Sequence, residues 1–397
     1  MLDWLKRQDP GRVFLETAGE SLTYGEMVEA VERRAVTGVE VIRPRLDVRS
    51  AVDVLAVMSR GSAVLVGDGI GPGRVDPSGA ATVMFTSGTT GGPKGVRLTR
   101  ANWDAAADAS MRHLGLGPDD VWLLAMPLHH VAGISILLRS AYAGGRVRML
   151  DGFDARAHAA ELRRGVTMAS MVPTMLARVL DVATGTHDGL RAVLLGGGPI
   201  PDRLLERGLA TGLPLLPTYG LTETAGQVAT LRPGDPPANR GHPLPGVELQ
   251  IVPDGRIAVR GPMVSPGYVG EPDRGRDDWL VTGDLGSIDE DGALRVLGRA
   301  DTVIVSGGEN IDPGMVEAEI ASLARVDGAL VVGLPSQEWG MESACLYVGE
   351  IGEGEVERQL RERLPGFMIP KRWLRVSELP VTSMGKPDRV AAARCFS

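Results

Sequence analysis

A chain of 397 residues has room for two or three domains and a large core. Hydrophobic residues at 43% and charged residues at 23% are ordinary globular proportions and exclude a disordered chain. The net charge of −8 gives no general attraction to nucleic acid or to an anionic membrane, so any phosphate site must be positive locally.

In chain order, residues 1–80 read as a small α/β prelude. Leu22-Thr23-Tyr24 precedes a helical pattern over 25–35, a second helix is expected over 47–58, and residues 63–66 read as a strand. Residues 67–79 read as a loop leading to a strand over 81–85. That strand feeds Thr86-Ser87-Gly88-Thr89-Thr90-Gly91-Gly92-Pro93-Lys94-Gly95, a stretch of hydroxyls, glycines and one lysine with no large apolar side chain. Glycine lets backbone N–H groups turn toward a ligand, and hydroxyls and lysine add donors, so an anion such as phosphate is the expected guest. A Walker-type loop is excluded, because Pro93 precedes Lys94 and Gly95 stands where Ser or Thr would be needed.

Beyond it, Thr99 caps an expected helix over 100–114 that Gly115 closes. Strands are expected over 122–126, 146–150 and 192–195, with helices over 154–164 and after Pro173. This alternation implies a mainly parallel sheet with covered faces. From about residue 240 the character changes to hairpins, at 247–259 and around Asp291-Gly292. From 302 onward a compact α+β pattern follows: strand 302–305, helix 313–324, strands 329–332 and 344–348, helix 354–364 and a strand at Trp373. The expected class is therefore α/β, with a large N-terminal domain of layered α/β sheets plus a β-rich subdomain (1–298). A junction at 299–301 leads to a small C-terminal α+β domain (302–397).

No run approaches the ~20 uninterrupted apolar residues of a membrane span. The best, 121–142, is broken by His129, His130 and Arg139. Cys345 and Cys395 are the only cysteines, and no secretory leader precedes them, which fits reduced thiols in a cytoplasmic protein.

Several polar, glycine-rich clusters follow expected strands, where open α/β sheets bind ligands. They are Gly196-Gly197-Gly198-Pro199, Tyr219-Gly220-Leu221-Thr222-Glu223-Thr224, Thr282-Gly283-Asp284 and Gly298-Arg299-Ala300-Asp301. Each alone has a bland alternative: a helix-entry turn, a β-turn or a solvated acid. Together they make a nucleotide kit, with glycines for a flat purine and an aspartate for ribose hydroxyls. A glutamate can hold Mg2+, and cations face the phosphates.

In this order, with Ser306-Gly307-Gly308-Glu309-Asn310 and Pro380-Val381-Thr382-Ser383-Met384-Gly385-Lys386, the motifs resemble the adenylate-forming superfamily of acyl-CoA synthetases, luciferases and adenylation domains. The likeness extends from about Leu22 to Arg389. Within it, 126–137 (MPLHHVAGISIL), LLGGGPIP and SGGENI are most similar to the o-succinylbenzoate–CoA ligase branch of menaquinone biosynthesis.

The resemblance implies ATP and coenzyme A as co-substrates, Mg2+ as cofactor, and a carboxylic acid as the group activated. It implies that Thr86, Ser87, Gly88, Thr89, Thr90 and Lys94 cradle the β- and γ-phosphates. Gly196, Gly197, Gly198, Pro199, Tyr219 and Gly220 would flank adenine, Thr222 would meet the α-phosphate, and Glu223 would hold magnesium. Asp284 falls to the ribose, Arg299 to the ribose or phosphate side, Asp301 to the hinge, Lys386 to adenylation, and Gly307 and Gly308 to the thiol's approach. His130 and Gly133 would line the acyl pocket. The pair His129-His130 lacks further ligands at metal spacing. Arg139 could meet a second substrate carboxylate, but an arginine snorkelling to water is the simpler reading.

Some features stand apart from the family pattern, and others stay open. Only about eighty residues precede the phosphate stretch, so one βαβ portion of the large domain looks abridged, and Asp312 replaces an aromatic residue usual after SGGENI. Transfer to a carrier protein or amine in place of coenzyme A, and a catalytically silent nucleotide-binding homologue, both remain open. So does association into homo-oligomers.

Overall fold

The computed structural model describes residues 1–67, 75–88, 92–182, 185, 187–381 and 387–396. Thr89, Thr90 and Lys386 lie outside the described residues.

The central element is a nine-stranded sheet among these residues. Its order is His242–Pro243, Gly226–Thr230, Leu215–Leu221, Ala192–Leu195, Met168–Met171, Val121–Leu124, Arg146–Met149, Val13–Glu16 and Ser21–Thr23. From Leu215–Leu221 to Val13–Glu16 the pairing is parallel, and antiparallel strands close both ends. Val121–Leu124, Met168–Met171 and Ala192–Leu195 are buried at every position, as strands covered on both faces must be.

A second sheet pairs Val39–Ile42, Ser62–Leu65 and Thr82–Gly88 in parallel, then adds Gly92–Leu98 and Gly267–Tyr268 antiparallel. The prelude is thus not a separate unit. Residues 13–23 finish the edge of the first sheet, whereas 39–65 build the second. Short strands at 13–16 and 39–42 carry acidic residues and escape the sequence pattern.

The expected helix starts hold. Thr23 and Thr99 each form a reciprocal capping box, with Glu26 and Asn102, and Asp47 and Asp154 accept from the first-turn N–H groups of their helices. The helix after Asp154 is shorter than expected, Ala155–Glu161.

A four-stranded antiparallel sheet follows, made of Glu248–Ile251, Arg256–Arg260, Leu280–Ile288 and Leu294–Arg299. The last sheet begins at Ile304–Ser306 and pairs it with Glu309–Ile311 and with the long hairpin Val326–Ser336 and Gly340–Gly349. Arg372–Arg375 adds a parallel edge strand, and the helices Pro313–Ala321, Glu353–Arg361 and Arg389–Arg394 complete the α+β unit. No described helix is long and apolar enough to cross a membrane.

Candidate functional site

The glycine-rich phosphate stretch is a hairpin rather than an open loop. Its arms pair as Thr86↔Lys94, Ser87↔Pro93 and Gly88↔Gly92, so strand geometry runs three residues past the expected strand 81–85 and resumes at Gly92 on the returning arm. Lys94 stands on the returning arm, over the Tyr268 ring at 5.0 Å and 3.9 Å from Glu271.

A cavity of about 470 Å³ is lined by Gly197, Gly198, Pro199, Tyr219, Gly220, Asp284 and Arg299 from the large sheets. Asp312, Met315, Glu317 and Arg389 line its far wall from the C-terminal unit. Thr282-Gly283-Asp284 is not a turn: it sits within the strand Leu280–Ile288, with Asp284 paired opposite Arg299. Tyr219 donates its hydroxyl to Asp284 Oδ2 at 2.7 Å, and Arg299 lies 3.4 Å from Asp284 Oδ1. Arg299 also grips Asp301 with two hydrogen bonds, at 2.8 and 2.9 Å. Burial and then the Asp284 charge push the Tyr219 hydroxyl pKa up, so the phenol stays a donor. The aspartate is thereby held in one rotamer by its two partners, with lone pairs left to accept from neighbouring hydroxyls.

Thr222 and Glu223 open the short turn Thr222–Thr224 that ends the strand Leu215–Leu221. Glu223 Oε1 accepts from the Tyr268 hydroxyl at 2.9 Å. Among the described residues no group of three His, Cys, Asp or Glu could hold a metal alone. One carboxylate suits Mg2+, which keeps waters and takes the rest of its shell from phosphate oxygens. The donor set therefore fits magnesium carried in with a triphosphate.

The other assigned positions divide. Gly307 and Gly308 form the turn between Ile304–Ser306 and Glu309–Ile311, at φ +58 and +88, where only glycine is at ease. That turn packs on Trp339 and lies outside the cavity lining, whereas Arg389, three residues past Lys386, is inside it. His130 is exposed and precedes the helix Val131–Ala143. Gly133 is buried, and a Cβ there would fall 2.2 Å from the Pro127 carbonyl oxygen, so its smallness first serves helix packing.

Arg139 overturns the snorkelling expectation. It is 6% exposed, sits 5.5 Å over the Trp122 ring, and has no ion-pair partner among the described residues. Burial pushes its pKa down to about 9, which leaves the guanidinium cationic at neutral pH. Its Nη2 lies 3.1 Å from where a side chain on Gly226 would begin, two residues beyond the Thr222–Thr224 turn.

A profile of AMP-binding enzymes matches residues 39–269, and one of the AMP-binding enzyme C-terminal domain matches 315–386. The chain belongs to the AMP-binding enzyme family. A relative named 2-succinylbenzoate–CoA ligase, from Bacillus mycoides, is 41% identical over 322 residues, covering 76% of this chain and 67% of the relative. The o-succinylbenzoate CoA synthetase of Bacillus subtilis, solved with the acyl-adenylate intermediate, is similar with a TM-score of 0.85 at 29% identity. That match covers 98% of this chain and 97% of the other. The same synthetase solved with ATP and magnesium gives a TM-score of 0.82 at 28% identity, with 98% of each chain covered.

Within this family fold, sequence reasoning missed Tyr268 and misplaced Arg139. Tyr268 sits in a Ser-Pro-Gly-Tyr run between two hairpins, which reads as a linker. Arg139 could have been found: the helix Val131–Ala143 is apolar on nearly every face, and such a helix buries whatever charge it carries.

Proposed function

We propose that this chain is an ATP-dependent acid–CoA ligase whose acid is 2-succinylbenzoate. The observation that carries the substrate reading is Arg139, a buried cation with no ion-pair partner among the described residues, set behind Gly226. A substrate with one carboxylate would leave that charge uncompensated in the interior. 2-Succinylbenzoate has two: one reacts, and the other suits a guanidinium. The names of the relatives agree with this reading.

An ionised carboxylate needs no general base to attack phosphorus. The barrier lies in bringing anions together and in charge growing on the transferring group. Thr86, Ser87, Gly88, Thr89, Thr90 and Lys94 hold the β- and γ-phosphates, and Thr222 meets the α-phosphate. Asp284, fixed by Tyr219 and Arg299, accepts from the ribose hydroxyls, while Gly196 to Pro199 and Gly220 flank the adenine. Mg2+, when bound through Glu223, supplies charge neutralisation at the phosphates. Lys386 approaches the reacting carboxylate. The carboxylate oxygen bonds to the α-phosphorus as the bond to the bridging oxygen breaks, so pyrophosphate leaves and an acyl-adenylate forms. The coenzyme A thiol, losing its proton, then adds to the acyl carbon, and AMP departs.

We place the domain boundary at 299–301, with 1–298 and 302–397 as the two bodies and Asp301 as the hinge. The cavity is walled by both, and rotation there brings the Gly307-Gly308 turn in for the second step.

The test is a panel of carboxylic acids with ATP and coenzyme A, read by mass spectrometry. The expected product is 2-succinylbenzoyl-CoA with AMP. A thioester from a monocarboxylate but none from 2-succinylbenzoate would overturn the substrate reading. ATP binding with no acid-dependent pyrophosphate exchange would overturn the ligase.

A further inference from the structure

We infer that Tyr268 is a positioning residue for adenylation, setting the Glu223 carboxylate for the divalent cation and tying it to the phosphate hairpin. The inference rests on the proposed role of Glu223, and it is built from contacts that the motifs do not contain.

Gly267–Tyr268 is the third strand beside the returning arm of the hairpin, with Gly267↔Arg97 and Tyr268↔Val96 in register. Val269 N–H donates to the Gly95 carbonyl at 2.8 Å. Buried Arg97 reaches from that arm to Asp273 at 2.6 Å, which clamps the following segment. The Ser265 N–H, just upstream, donates to the Glu223 main-chain carbonyl at 2.7 Å. One short segment therefore touches both the hairpin and the Thr222–Thr224 turn.

Tyr268 is the side chain through which the two communicate. Its hydroxyl donates to Glu223 Oε1 at 2.9 Å, and its ring lies 5.0 Å under Lys94 Nζ. With Oε1 held, Oε2 would be the oxygen left to ligate the cation, and the hydrogen bond would resist rotation of the carboxylate as phosphate charge arrives. Hydrogen bonds of this kind to a ligating carboxylate change metal affinity or activity by roughly 10- to 100-fold when removed.

The experiment compares the wild type with Tyr268→Phe, Glu223→Gln and the double variant. Calorimetry measures affinity for Mg·ATP, for ATP with chelator, and for AMP. Pyrophosphate exchange reports the first half-reaction, and thioester formation from supplied acyl-adenylate reports the second. Tyr268→Phe is expected to lower Mg·ATP affinity roughly tenfold and to slow exchange to a similar degree. Metal-free ATP affinity, AMP affinity and the second half-reaction should stay within twofold. The double variant should be no worse than Glu223→Gln alone, because Tyr268 acts through Glu223.

Equal loss of affinity with and without magnesium would mean that the phenol only packs the site, and it would sink the inference. So would additive losses in the double variant, or no change in Mg·ATP affinity. The calorimetric arms need no acid, so a wild type inert toward 2-succinylbenzoate would overturn the proposed function while leaving this comparison readable.

Discussion

The ribose corner and the interior behind Gly226 treat charge in opposite ways. At the corner, Asp284 meets Tyr219 and Arg299, and Arg299 is gripped by Asp301. Behind Gly226, buried Arg139 lies over the Trp122 ring and has no ion-pair partner among the described residues. A partner network that is complete in the protein can bind only neutral donors and acceptors, such as ribose hydroxyls. A buried cation left without a carboxylate is costly to the fold and is compensated only when an anion enters. Under the proposed function, the first region receives the nucleotide and the second selects the acid.

The sharpest way to break this contrast is Arg139→Met, which keeps the stem and removes the charge. Catalytic efficiency with 2-succinylbenzoate should fall by about 2 to 5 kcal/mol of transition-state stabilisation, the range for truncating one side of a buried charge pair. Affinity for ATP should not change. The unliganded variant should melt no lower than the wild type, since an uncompensated buried charge has been replaced by an apolar chain. A lower melting temperature with unchanged acid kinetics would show that Arg139 supports the fold and no ligand.

Asp284→Asn probes the other side with a smaller effect. The amide oxygen can still accept from Tyr219, and Arg299 keeps Asp301, so stability should shift little. What is lost is the charge that strengthens two hydrogen bonds to the ribose. ATP affinity should drop roughly tenfold, near the ~1 to 1.5 kcal/mol separating charged from neutral hydrogen bonds. Calorimetry with ATP and with inorganic pyrophosphate separates the cases. Loss confined to ATP supports the ribose assignment, and equal loss of both places the residue's influence elsewhere.

These two regions were not equally legible in the sequence. The corner is announced by short polar motifs, because glycine, aspartate and tyrosine at fixed spacing have few other uses. What the motifs do not reveal is that Tyr219, Asp284 and Arg299 lie on strands rather than in turns, nor that Tyr219 bonds Asp284, since a contact across 65 residues leaves no local trace. The mainly parallel sheet, its capped helices and the C-terminal α+β unit were readable from periodicity and end signals. The hairpin at 86–95 was not, because glycine and proline suppress strand propensity even where a neighbouring arm supplies the hydrogen bonds. Tyr268 was invisible for a related reason: its partner Glu223 is 45 residues away.

A buried polar group without a partner is not by itself a ligand site, and His158 sets the limit. It is 0% exposed, neither ring nitrogen has a hydrogen-bond partner among the described residues, and it rests against the edge of Phe153 at 5.6 Å. Unlike arginine, it can discard its charge, and burial pushes its pKa down to about 4. The sign follows from the folded value lying below the ordinary histidine value of ~6.5. The neutral form is native, so no penalty exists above that value. As pH falls from there toward 4, the unfolded chain takes up a proton that the folded chain refuses. By linkage, the loss at pH 5 should be about 2 kcal/mol. His158→Leu should remove that part of the pH dependence, so denaturant midpoints at pH 7 and pH 5 should lie closer together than in the wild type. If the gap is unchanged, His158 is protonated at little cost, and the argument from burial weakens for Arg139 as well.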